Sequence, residues 1–125
     1  MRLAELEEMM IEEPGEAEAA IAELVSGGDV EQLTQIAQEG RVPELKLRAI
    51  DGLGNVGGAE AAAALIEMLE QATTTLVLGG TEQKREHELK QRRLAQSLSR
   101  ARGVPAPAGR SRAEIAEFIE SCRER

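Results

Sequence analysis

Apolar residues recur along this chain three and four positions apart, in seven runs parted by glycine or proline, and that spacing constrains the fold most. Positions i, i+3, i+4 and i+7 share one face of an α-helix, so each run predicts an amphipathic helix. The first spans 2–12, with Leu3, Leu6, Met10 and Ile11 in register, and Pro14-Gly15 ends it. The second spans 16–26 (Ala17, Ala20, Ile21, Leu24, Val25) and closes at Ser26-Gly27-Gly28. The third opens at Asp29, an N-cap with Gln32 in the capping-box position, and carries Val30, Leu33, Ile36 and Ala37 to Gly40. Pro43 suits the first turn of a fourth, which keeps Leu45, Ala49, Leu53 and Val56 in register.

A fifth, Ala-rich helix is expected over 59–72, with Ala62, Leu65, Ile66 and Leu69 inward, and a long charged sixth over 82–102, with Leu94, Leu98 and Ala101 inward. Between them "TTTLVLGG" (73–80) changes style. Its β-branched run disfavours a helix, which leaves a loop, a short strand or a strained extension of helix five. "GVPAPAG" (103–109) reads as a proline-stiffened connector. The last helix starts at Ser111, with Glu114 completing a capping box and Ile115, Phe118, Ile119 and Cys122 as its apolar face. Phe118 is the single aromatic. Sheets favour aromatic and β-branched residues, whereas Ala, Leu, Glu, Gln, Lys and Arg favour helices, so composition also points to an all-α fold.

Charge is unevenly spread. Residues 1–70 carry 16 acidic and 4 basic side chains, and residues 71–125 carry 7 and 11, for a net charge of −8. An acidic protein is a poor general ligand for nucleic acid. The polarity suggests ends that attract each other, or a partner read by charge. One cysteine forbids an intrachain disulfide. No window approaches the roughly 18 apolar residues of a membrane span, and the acidic start lacks the order of a signal peptide. A cytoplasmic protein is the expectation.

A string of helices on short turns makes a bundle or a solenoid, and internal repetition separates the two. Shifted by 32 residues, Val30, Leu33, Ile36 and Ala37 fall on Ala62, Leu65, Met68 and Leu69. Shifted by 45, "RAIDGLGNVGG" (48–58) falls on "RLAQSLSRARG" (93–103). The segment "PELKLRAIDGLGNVGGAEAAAALIEMLE" (43–70) resembles the HEAT-like repeat named after phycobilisome lyases. Pro43, Leu45, Lys46, Ala49, Leu53, Gly54, Val56, Gly57, Ala61, Leu65, Ile66 and Leu69 occupy its pattern positions. Gly52 stands where the pattern has alanine, so helix four is expected to fray early. The resemblance covers 29–103. It implies a right-handed α-α superhelix of stacked hairpins. Capping helices would lie at 1–28, repeats at 29–58 and 59–103 with an insertion at 73–84, and a linker with a capping helix at 104–125.

"GLGNVG" (52–57) also satisfies the dinucleotide fingerprint G-x-G-x-x-G. That site needs a buried strand leading into the first glycine. The preceding residues include Lys46, Arg48 and Asp51, and the acidic residue expected about 20 positions on would be Glu82, too late and beyond Gly79-Gly80. The glycines read instead as the end of a helix. His87, in "EHE", is similar to the His-Glu pairs of deoxyhypusine hydroxylase, but it is the only histidine, and a metal needs several ligands. Cys122 has no base partner and reads as packing. No cofactor, metal or catalytic group is expected.

The second helices of stacked hairpins line one surface, commonly the concave binding one. That predicts a patch of Leu47, Arg48, Asp51, Arg92, Arg93, Gln96 and Arg100, against the alternative of an ordinary solvated face. The expected function is non-enzymatic protein–protein interaction by an adaptor or scaffold whose basic patch takes an acidic segment. Nucleotide binding through 52–57 and a nucleic-acid-binding repeat are the rival readings, and a bilin-handling role is implied by the family's name alone. The uncharged "TLVL" (75–78) offers a route to self-association if exposed.

Overall fold

A computed structural model describes residues 3–78, 84–109 and 111–124, and every element in it is an α-helix. The helices are α1 (Leu3–Glu12), α2 (Pro14–Ser26), α3 (Val30–Glu39), α4 (Pro43–Val56), α5 (Gly58–Leu78), α6 (Lys84–Arg102) and α7 (Arg112–Arg123). The expected all-α class is therefore what the chain adopts. Helix α1 packs on α2, α3 on α4 and α5 on α6. Helix α4 also touches α2 and α6, so α2, α4 and α6 lie side by side, while α3 meets α5. Helix α7 rests on α5 and α6.

The turns follow from local chemistry. Pro14 opens α2 with only Glu13 between it and the end of α1, so it starts a helix as well as stopping one. At the end of α2, Asp29 N–H donates to the Leu24 carbonyl and Gly28 N–H to that of Val25, the two bonds of a Schellman motif. Asp29 then caps α3, its carboxylate accepting from Gln32 N–H at 3.1 Å. At α7, Ser111 Oγ accepts from Glu114 N–H at 3.2 Å. The Glu114 carboxylate reaches back past the usual partner to Gly109 N–H (2.8 Å) and so pins the connector.

Leu6, Leu33, Ile36, Leu45, Leu53, Leu65, Leu69, Leu94 and Leu98 are fully buried, and each contributes about 1.5–3 kcal/mol of apolar burial. Ile50, outside the expected register of α4, is equally buried. Ile11 departs from its expected inward place, at 75% exposure.

Two expectations change. Helix α5 runs past the expected end at residue 72 to Leu78, so of the three readings of 73–80 the extension of helix five is the one adopted through Leu78. The hydroxyls of Thr73, Thr74 and Thr75 donate to the carbonyls of Leu69, Glu70 and Gln71 at 2.8–3.0 Å, so the β-branched run satisfies itself within the helix. Residues 79–83 of the expected insertion, and the side chains of 76–78, lie outside the described residues. Helix α4 does not fray at Gly52 either, because Gly52 and Gly54 are buried inside it. Gly57 alone of the three fingerprint glycines ends the helix, at φ +68°, a left-handed conformation that side chains resist.

Candidate interaction surface

The fingerprint glycines set how closely α4 meets its neighbours. A Cβ on Gly54 would lie 2.8 Å from both Cα and the carbonyl oxygen of Ser97, so α4 and α6 cross backbone to backbone there. A Cβ on Gly52 would meet Val25 of α2 at 3.0 Å and Leu33 of α3 at 3.4 Å. Both glycines are occupied as helix contacts, and the residues leading into Gly52 are helical, so a strand-fed phosphate cradle is not formed.

This close crossing brings charged residues of α4 and α6 together at the solvent edge. Asp51 accepts from Arg93 Nε at 3.0 Å and from a second nitrogen of the same guanidinium. Both side chains are about one-third exposed. The hydrogen bond to Asp51 raises the Arg93 pKa, against an opposing effect of burial. Arg100 reaches the Asp51 backbone carbonyl at 3.3 Å and its carboxylate at 3.9 Å. On the other flank, Arg48 pairs with Glu18 of α2 and with Glu44 one turn back at 2.9 Å. Salt bridges therefore tie α2 to α4 and α4 to α6.

The seven expected patch residues divide three ways. Arg48, Asp51, Arg93 and Arg100 join in this ladder, where three guanidinium groups meet the carboxylates of Glu18, Glu44 and Asp51, so that stretch is electrically balanced. Arg92 and Gln96 are exposed and line a groove of about 230 Å³ against Pro107 of the connector and Ile115 of α7. Leu47 is half-buried and lines a separate cleft of about 210 Å³ between the N-terminal halves of α4 and α6.

Sequence reasoning missed that cleft. Arg41, Lys46, Lys90, His87, Leu89 and Glu86 line it with Leu47 and Pro43. The charged side chains of Arg41, Lys46 and Lys90 make no ion pair among the described residues. Burial, and then the charge of Lys46, lower the Lys90 pKa. Leu89 is 45% exposed there. The residues come from two segments, 41–47 and 86–90, that are 39 positions apart at the nearest, and the signal available in the sequence was Leu89, an apolar residue off the Leu94–Leu98 face of α6.

Cys122 is buried, and burial raises its thiol pKa while Arg102 opposes the shift, so the neutral thiol is favoured at neutral pH. Among the described residues no three His, Cys, Asp or Glu side chains gather as a metal site, and no helix is long and apolar enough to cross a membrane. No protein-family model, no curated protein and no solved structure matches the chain.

Proposed function

We propose that this chain is a small HEAT-like stack of helical hairpins that acts by recognition rather than chemistry, presenting its α2–α4–α6 layer to another protein as an adaptor or scaffold. The ion-pair ladder across that layer carries the reading. Glu18–Arg48 and Asp51–Arg93 fix the helices to one another at the surface, so the layer's shape is set before a partner arrives, which lowers the ordering cost of binding. Exposed Arg92 and Gln96 supply cationic and hydrogen-bonding contacts suited to an acidic segment. A nucleotide role is disfavoured by the helix contacts that Gly52 and Gly54 make. A nucleic-acid role is disfavoured by the balance of charge on the ladder.

The test places a photo-crosslinking residue at Gln96 or Arg92 and, as the comparison, at Glu31 or Gln38, which are exposed on α3. In extracts of the native source, the α6 positions should yield discrete protein adducts and the α3 positions none. Equal labelling from both helices would remove the reason to assign binding to the α2–α4–α6 layer.

A further inference from the structure

Two exposed large hydrophobic side chains stand out among the described residues, Ile11 and Leu89, and their charged surroundings are opposite. Leu89 lies in the cleft with Glu86 and with Arg41, Lys46 and Lys90, whose charged side chains make no ion pair among the described residues. Ile11 lies in the last turn of α1 among Glu8, Glu12, Glu13 and Glu16, all exposed and none paired with a cation among the described residues. Like charges meet within each neighbourhood. Burial and then Lys46 lower the Lys90 pKa, and a hydrogen bond from Glu13, then its like charge, raise the Glu16 pKa.

The cleft holds about 210 Å³. That is below the roughly 300 Å³ at which small-molecule pockets begin, but it accommodates an aliphatic side chain. Knob and cleft also share one side of the molecule. Arg41 N–H donates to the Glu7 carboxylate at 3.2 Å, and Ile11 lies one turn beyond Glu7, about 6 Å along α1. At 75% exposure, Ile11 does not fill the cleft of its own chain.

We infer that the cleft receives a second copy of this chain: Ile11 of one protomer seats against Leu89 of the other, and the Glu8–Glu16 ridge pairs with Arg41, Lys46 and Lys90. Because both features lie on one side, a two-fold dimer satisfies both junctions at once. This assembly is independent of the α2–α4–α6 reading, and the crosslinking experiment above tests that reading separately.

Sedimentation velocity on the full chain, from low micromolar to several hundred micromolar, gives the test. The wild-type protein should show a monomer–dimer equilibrium that weakens when salt is raised to about 0.5 M. Ile11→Asp or Leu89→Asp, both at exposed positions, should each weaken it roughly tenfold or more. Lys46→Glu/Lys90→Glu and Glu12→Lys/Glu13→Lys should each be monomeric alone and form a one-to-one dimer when mixed, since the swap restores both junctions. Circular dichroism verifies that each variant keeps its helices. A wild-type chain that stays monomeric throughout overturns the proposal, as does a dimer that Ile11→Asp and Leu89→Asp leave intact.

Discussion

Helix α6 is held from two sides by different means. Against α4 it presents the backbone of Ser97 to Gly54, with no side chain of α4 between them, and Asp51–Arg93 closes the edge of that crossing. Against α5 it makes a buried contact between side chains, in which Gln91 Nε2 donates to Thr73 Oγ1 at 3.0 Å. A backbone-to-backbone contact has no rotamers with which to absorb an added atom, whereas a side-chain seam can shift. The α4 side should therefore be brittle and the α5 side tolerant, and substitutions on each can break or sharpen that contrast.

The largest effect belongs to Gly54→Ala. Alanine is the better helix former, yet its Cβ would fall within 3 Å of the Ser97 Cα and carbonyl oxygen. Thermal unfolding should show a loss of about 3 kcal/mol, a drop of roughly 10 °C in Tm. Adding Ser97→Gly should restore little, because the clashing Cα and carbonyl remain. Full rescue would mean that the crossing is set by side chains after all. On the α5 side, Thr73→Val keeps the shape but leaves the buried Gln91 amide without its acceptor. Chemical denaturation should register about 1–2 kcal/mol, and a loss as large as that of Gly54→Ala would erase the brittle–tolerant distinction.

A smaller effect follows from Asp51→Ala, which removes the acceptor of Arg93 and Arg100 at the solvent edge. The guanidinium groups are partly exposed and can turn to water, so the expected loss is about 1 kcal/mol and should shrink as salt is raised. A loss that is insensitive to salt would place this pair within the packing of the crossing.

The helices were legible in the sequence because their evidence is local. Asp29 and Ser111 cap α3 and α7, Pro43 opens α4, and the apolar register of α7 is buried as its spacing predicts, as are those of α3 and α4 except for half-buried Val30 and Val56. Legibility ended where a residue's role is set by another helix. Gly52 and Gly54 look like breaks because glycine disfavours a helix, and only the arrival of the neighbouring helices shows their roles: Gly52 packs against side chains of α2 and α3, and the backbone of α6 leaves no room for a side chain at Gly54. "TTTLVL" (73–78) stayed open among three readings, of which helix extension is the one adopted, for a local reason: propensity counts the cost of β-branching but not the hydroxyl bonds that three consecutive threonines return to their own helix. Arg48 and Asp51 were legible as surface residues of α4, whereas their partners Glu18 and Arg93 come from 30 residues upstream and 42 downstream. The Lys46–Lys90 cleft spans a comparable separation.

Gly52→Ala is the finest probe of the comparison, because the glycine lies two residues from Gly54 on the same helix. Its added Cβ would meet only side-chain ends: Val25 Cγ2 at 3.0 Å, Leu33 Cδ2 at 3.4 Å and Ile21 Cγ2 at 3.8 Å. Val25 is partly exposed and can yield. The helix itself gains about 1 kcal/mol when glycine becomes alanine, which offsets a crowding cost of about the same size. The net change should therefore fall within about 0.5 kcal/mol of zero. The same chemical change at two positions would then differ by several kcal/mol through one cause, whether the neighbour is a side chain or a backbone. Equal destabilisation by both substitutions would show that α4 needs glycine for its own conformation, and the close approach to α6 would be a consequence of that need rather than its cause.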